Sequence, residues 1–294
     1  MEIRVLEYFL MVAREENITK AAQQLHLTQP TLSRQLMQLE DELQTTLFIR
    51  GKRKIELTEA GRLLRRRAEE IVSMVNKTQQ EVMANEEISG QIMIGTGIFD
   101  ASQHLLPKII EEFHHSYPEV QFDIYTGNAD LIKERLDNGL VDIGILLEPV
   151  NIEKYNFIRL TKQERWGIII SKEHPLALQS SVRADDLKQL TLFSTNRLTV
   201  QNEVTHWLDS NHDQIHFPVT YNFMTTVIPL IQNNMGAAIT IEGAFAAGRQ
   251  DQLVFVPFSP ELSTGVVIVW KKHNALAPVK KKFIQVIEKF SQEY

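Results

Sequence analysis

Thr28-Gln29-Pro30-Thr31-Leu32-Ser33-Arg34 is a dense run of side chains able to read another molecule. Gln bonds adenine bidentately, Arg bonds guanine O6 and N7, and Ser and Thr reach phosphate or base edges. Four cations in five residues follow, in Arg50-Gly51-Lys52-Arg53-Lys54, and then Arg62, Arg65, Arg66 and Arg67. Charge runs are ordinarily solvated faces, so their meaning depends on what positions them. The net charge of −6 argues against a nucleic-acid binder, but it hides an asymmetry. Residues 1–67 hold 12 of the 31 cations and 9 of the 37 carboxylates, a net of +3, which leaves 19 against 28, a net of −9, for the remainder.

The elements around these residues follow from apolar spacing and capping. Val5, Leu6, Phe9, Leu10 and Ala13 recur at helical intervals, and the pattern stops near Glu15-Glu16-Asn17. Thr19 is the expected cap of a second helix, whose Ala21 and Ala22 project so little that another helix can approach closely. After a short turn at His26-Leu27-Thr28, Thr28 caps a third helix with Pro30 in its first turn. Leu32, Leu36, Leu39 and Leu43 form its expected buried stripe, with Gln29, Thr31, Ser33, Arg34 and Gln35 opposite. Two short helices joined in this way describe a helix-turn-helix, whose second helix enters the DNA major groove. A small helical bundle with a polar surface would share the spacing. The basic cluster favours DNA, because 47–50 and 55–58 read as two short strands around a cationic hairpin, a wing suited to phosphate or the minor groove.

Thr58 and Glu59 open a long helix expected to run to about residue 87. Leu57, Gly61, Leu64, Ala68, Ile71, Val75, Thr78 and Val82 fall on a repeating 4,3 spacing, the seam of a coiled coil. Leu64, Ile71, Val75 and Val82 are therefore the candidate dimer contacts. The alternative is a helix docked on its own domain.

Together, Phe9, Ala21-Ala22, Leu25, Thr28-Gln29-Pro30, Leu32-Ser33-Arg34-Gln35, Leu39-Glu40, Leu43, Leu47-Phe48, Arg50 and Leu57-Thr58-Glu59-Ala60-Gly61 closely resemble the LysR-type transcriptional regulators. The resemblance implies a bacterial homodimer or homotetramer that binds a double-stranded operator with dyad symmetry. It also implies a small-molecule effector held in a fold similar to the periplasmic binding proteins, and RNA polymerase is a further candidate partner. DNA contacts are expected from Thr28, Gln29, Pro30, Thr31, Ser33, Arg34, Arg50, Lys52 and Arg53. One departure is that Leu36-Met37-Gln38 is neutral where family members often carry basic residues.

Beyond Ser89-Gly90, the expected hinge, strands and helices alternate, which describes an α/β domain with parallel pairing and both sheet faces covered. The expected strands are 92–95, 120–125, 141–147, 157–160, 166–170, 190–193, 219–223, 237–241, 253–256 and 266–270. The expected helices are 105–115, 131–138, 201–209, 225–233 and 278–292. The overall expectation is an α+β winged helix-turn-helix at 1–57, a linker and dimerisation helix at 58–89, and a two-lobed α/β effector domain at 90–294. Pattern alone does not divide the lobes. The resemblance puts the crossings near 161–162 and 263–265, giving lobe one as about 90–161 and 265–294 and lobe two as about 162–264.

Ligands of open α/β sheets bind beyond the carboxyl ends of strands, here 96–102, 126–129, 194–197 and 223–226. These segments supply the candidate effector contacts Ile98, Phe99, Asp100, Ser102, Asn128, Thr195, Asn196, Phe223 and Thr225. Asp100 and Asn128 read more simply as helix N-caps, Phe99 and Phe223 as core, and Arg197 as either an anion partner or a solvated cation.

Catalytic readings find little support. With no cysteine there is no disulfide, thiolate metal site or cysteine nucleophile. Gly95-Thr96-Gly97 starts a dinucleotide fingerprint, but Asp100 stands at the third glycine position. Gly90 and Gly95 have P-loop spacing without its Lys, no Gly-x-Ser-x-Gly occurs, and His206, His212 and His216 are loosely spaced for a metal. Neither catalytic residues, a metal nor a cofactor is expected. The start MEIRVLEYFL has acidic residues where a secretory signal is basic and apolar, and no apolar run approaches ~20 residues, so a soluble, cytoplasmic protein is expected.

Overall fold

Phe9 shows how the N-terminal helices come together: it is fully buried, with its ring centroid 5.2 Å from that of Phe48. The computed structural model describes residues 1–50, 54–83, 88–208, 217–246, 251–272, 276–292 and 294. Backbone contacts divide the chain into two units, residues 1–84 and 85–294.

In the first unit, α1 (Ile3–Glu15), α2 (Ile18–Gln24) and α3 (Gln29–Leu43) precede the hairpin β1 (Phe48–Arg50) and β2 (Ile55–Leu57), and α4 (Glu59–Met83) follows. Asn17, not Thr19, caps α2: its side-chain oxygen accepts from Lys20 N at 3.0 Å, while Thr19 lies inside the helix. Thr28 caps α3, accepting from Thr31 N at 3.4 Å. Leu32, Leu36 and Leu39 are buried, but Leu43 is 38% exposed, so the expected stripe ends one turn early. Gln44, which follows, has a left-handed backbone that ends the helix there.

The hairpin is anchored at its base. Glu40 Oε1 accepts from Leu47 N at 2.7 Å and Phe48 N at 3.2 Å, and Lys54 Nζ pairs with Glu16 at 2.8 Å. The tip residues Lys52 and Arg53, and the side chain of Arg50, lie outside the described residues. Thr58 accepts from Gly61 N at 2.9 Å, and a Cβ on Gly61 would sit 2.2 Å from Leu47 O, so only glycine lets α4 start against the hairpin. Ala68 is completely buried in the core that α1 and α3 build, with Leu64 and Val72 packed beside it. Ile71 is 37% exposed and Val75 half-buried. The side chain of Val82 and the helix expected over 84–87 lie outside the described residues.

In the second unit, β3 (Gly90–Thr96) leads through a short π-helical turn (Ala101–Leu105) into α5 (Leu106–Ser116). Then come β4 (Val120–Thr126), α6 (Ala129–Asp137), β5 (Ile143–Leu147), β6 (Tyr155–Arg159) and β7 (Glu164–Ser171). After a 3-10 turn at Pro175–Leu178 follow α7 (Ala184–Leu187), β8 (Leu192–Thr195), α8 (Leu198–Trp207) and β9 (Val219–Tyr221). A second 3-10 turn at Met224–Thr226 precedes α9 (Ile228–Gln232), β10 (Ala237–Ile241), α10 (Glu242–Ala246), β11 (Leu253–Pro257), β12 (Ser263–Thr264), β13 (Val266–Lys271) and α11 (Pro278–Ser291).

Two sheets result, ordered β4-β3-β5-β13-β6 and β11-β7-β10-β8-β9, with β12 added to β7. The chain passes from the first sheet to the second between β6 and β7, and returns between β12 and β13. The pairing is mixed rather than wholly parallel. β3 pairs in parallel with β4 and β5, and β8 with β9 and β10, whereas β13 runs against β5 and β6, and β7 against β10 and β11. β6 heads toward the second sheet and β13 comes back from it, so these neighbours must run in opposite directions. Underneath the first sheet, Lys280 of α11 pairs with Asp142 at 3.0 Å, each only 6% exposed.

Candidate functional site

On α3 the residues Thr28, Gln29, Pro30, Thr31 and Arg34 are exposed and Ser33 is half-buried, so all six expected contacts on this helix share its solvent side. Several are already held. Gln29 Nε2 donates to Ser33 Oγ at 2.9 Å, and the Thr28 and Thr31 hydroxyls are 2.8 Å apart. Arg34 has neither an ion pair nor a hydrogen bond among the described residues. A free guanidinium beside an N-terminal turn of small polar groups offers the donors that base edges and phosphates accept. The exposed Met37 and Ile49 on this unit carried no signal in the sequence.

In the second unit a cavity of about 210 Å³ opens between the two sheets. Ile98, Phe99, Asn128, Thr195, Phe223 and Thr225 line it, as do Arg197, Glu148 and Trp166. Three expected contacts stand off its wall. Ser102 Oγ bonds Phe99, accepting from its N–H at 3.0 Å and donating to its carbonyl at 2.7 Å. Asn196 is exposed, its N–H given to Tyr221 O at 2.8 Å. Asp100 turns toward Lys162 at 2.5 Å, His104 at 3.1 Å and the Tyr294 hydroxyl. It is not an N-cap either: its backbone is already helical, and its side chain makes no capping bond. Asn128 does cap, accepting from Leu131 N at 3.0 Å, while also lining the cavity.

Residues 3–62 match the family described as bacterial regulatory helix-turn-helix protein, lysR family, and residues 85–291 match the LysR substrate binding domain. The chain belongs to the LysR family of transcriptional regulators. It is 32% identical to the transcriptional regulator AlsR of Bacillus subtilis, covering 97% of this chain and 95% of that one. It is 26% identical to the Hca operon transcriptional activator HcaR of Escherichia coli, over 98% and 97% of the two chains. The fold is similar to CbnR, a LysR family transcriptional regulator, with a TM-score of 0.74 at 20% identity over 99% of each chain. CbnR complexed with its target DNA gives 0.71 at 20% identity, over 99% of this chain and 100% of that one.

This LysR regulator is a DNA-binding protein with an effector-binding domain, and the effector domain is built around a buried carboxylate. Glu164 on β7 accepts from Asp100 N at 2.6 Å, in the segment after β3, and from Gly243 N at 3.1 Å, on α10. A Cβ on Gly243 would lie 2.3 Å from Asp100 N, so this close approach excludes any larger residue. Burial pushes the Glu164 carboxyl above its ordinary range, and the two backbone N–H groups only partly offset that. The folded domain therefore takes up this proton at a higher pH than the unfolded chain. Glu164 favours folding most at pH below the ordinary carboxylate range, and that contribution is lost as pH rises through the raised pKa.

Glu164→Gln should flatten that part of the pH profile. All three tryptophans, Trp166, Trp207 and Trp270, lie in this domain, so fluorescence-detected unfolding reads it alone. Identical pH profiles for the variant and the wild type would refute the assignment.

Proposed function

We propose that this regulator places α3 in the major groove of an operator with dyad symmetry, as a homodimer or homotetramer, and responds to a small molecule held between its two lobes. What supports the reading most is Arg34, without an ion pair or hydrogen bond among the described residues, on the solvent side of the helix that also carries Gln29 and Ser33. Thr28, Pro30 and Thr31 flank these groups, and Arg50, Lys52 and Arg53 of the wing meet phosphate or the minor groove. The module boundaries we assign are 1–57 for DNA binding, 58–89 for the linker and dimer helix, and 90–294 for the effector domain. Its lobes are about 90–161 with 265–294, and about 162–264. Only an effector with different affinities for two subunit arrangements can shift their populations. We assign no catalysis and no cofactor beyond that effector.

RNA polymerase is the further partner to test once an operator is known. Among the described residues no helix is long and apolar enough to cross a membrane. We place the regulator in the bacterial cytoplasm, where its operator lies.

The test is an operator selected from a random DNA pool. Arg34→Ala or Gln29→Ala should cost roughly 1 to 3 kcal/mol on that operator and relax the base preference at one position. Equal losses on operator and unrelated DNA would mean that these residues do not read bases.

A further inference from the structure

We propose that the interlobe cavity takes a compact monocarboxylate with an apolar body, and that Arg197 receives its carboxylate in exchange for Asp130. This rests on reading the cavity as the effector site. A volume of about 210 Å³ has room for about seven waters and is below the ~300–1,000 Å³ typical of pockets for drug-sized ligands, so the ligand is small. Its walls are largely apolar, with Ile132, Ile145, Trp166 and Val200 among them, and these favour a hydrocarbon or aromatic body.

Two charged side chains reach the cavity, and they differ in how they are satisfied. Both oxygens of Glu148 are occupied by Arg159, at 2.7 and 3.3 Å. Arg197 is only 9% exposed, yet it uses just two of its three nitrogens. Nε donates to Asp130 Oδ2 at 3.1 Å and Nη2 to Pro149 O at 3.3 Å, while Nη1 has no acceptor among the described residues. A guanidinium carries five N–H donors, and Nη1 is not among the atoms sealed from solvent without a partner, so an acceptor entering the cavity can reach it.

Asp130 is a weak holder of this cation. It offers one oxygen, and at 67% exposure it regains water easily on leaving. A ligand carboxylate can instead take two parallel N–H groups, the stronger geometry. Among the described residues that line the cavity Arg197 is the one cation, which matches a ligand with a single carboxylate.

The exchange also reaches the lobes. Arg197 immediately precedes α8 beside one sheet, whereas Asp130 on α6 and Pro149 after β5 belong with the other. A ligand that captures Arg197 replaces a direct tie between the lobes with one made through itself.

The full chain should be titrated by calorimetry with phenylacetate, phenylacetamide and 2-phenylethylamine, which share one apolar body and differ in charge. Phenylacetate should bind at least about tenfold more tightly than the other two, as expected for a charge-assisted pair. Asp130→Asn should tighten phenylacetate but leave the amide unchanged, an outcome that misfolding cannot mimic. Arg197→Gln should erase the preference for the acid. An amide that binds as well as the acid, an acid preference that survives Arg197→Gln, or no binding by any of the three overturns the proposal. Ala244→Trp, which fills the cavity, separates the two readings. Binding that ignores this substitution removes the effector site itself, whereas binding lost there with acid and amide equal removes only the carboxylate assignment.

Discussion

Replacing Ile71 by Asp should turn the regulator into a monomer and weaken operator binding by about 10² to 10⁴-fold, the advantage that linked half-site binding gives over single binding. The position separates assembly from folding. Leu64, Ala68 and Val72 of α4 pack on their own domain, whereas Ile71 is 37% exposed. An Asp there meets water in the monomer and costs only its helix propensity, about half a kcal/mol. In a dimer seam formed with Val75 and Val82, the same carboxylate would be desolvated with no partner, which costs far more. A dimer also lets two recognition helices reach half-sites about 34 to 36 Å apart, or multiples of that distance. Light scattering that finds the oligomer unaltered would reject the seam and point to a dimer held by the effector domains.

Lys280→Ala should destabilise the effector domain by about 3 to 5 kcal/mol, the range for removing one partner of a buried ion pair. Lys280 and Asp142 are each 6% exposed and 3.0 Å apart, and Asp142 also accepts from Met93 N at 3.0 Å. The substitution takes the Lys280 ammonium away from the buried Asp142 carboxylate and unpins α11. Fluorescence-detected denaturation reports this domain because every tryptophan lies in it. Replacing both partners by apolar residues of similar volume should recover much of the loss. A single substitution costing under about 1 kcal/mol would show that the pair is not held as described.

Much of the DNA-binding unit was legible because its signals are local. The Thr28 cap, Pro30 in the first turn, the Leu32, Leu36 and Leu39 stripe, and the hairpin from Phe48 to Leu57 each depend on residues a few positions apart. Sequence and structure differ where two local solutions compete. Asn17 and Thr19 can each cap a helix, and Asn17 wins because its extended backbone aims the side chain at Lys20 N. Leu64 fits both a dimer seam and a helix packed on its own domain, and the 4,3 spacing alone does not divide these roles among Leu64, Ile71 and Val75.

By itself, then, the sequence determined the helix-turn-helix, the wing strands, the long helix and the alternation of the effector domain, since caps and apolar periodicity act within one or two turns. Tertiary structure decided the cavity. Arg197 meets Asp130 across 67 residues, and Glu164 meets Gly243 across 79. Neither pairing leaves a mark in its neighbours' types. The first arises because the chain crosses to a second sheet, a path whose return also sets β13 against β5 and β6, and the second because β10 lies beside β7 and leads directly into α10. Tertiary position then changes what each group can do: Arg197, which in sequence is equally a surface cation, lines the cavity, and Asp100, which in sequence is a cap, becomes a partner of Lys162.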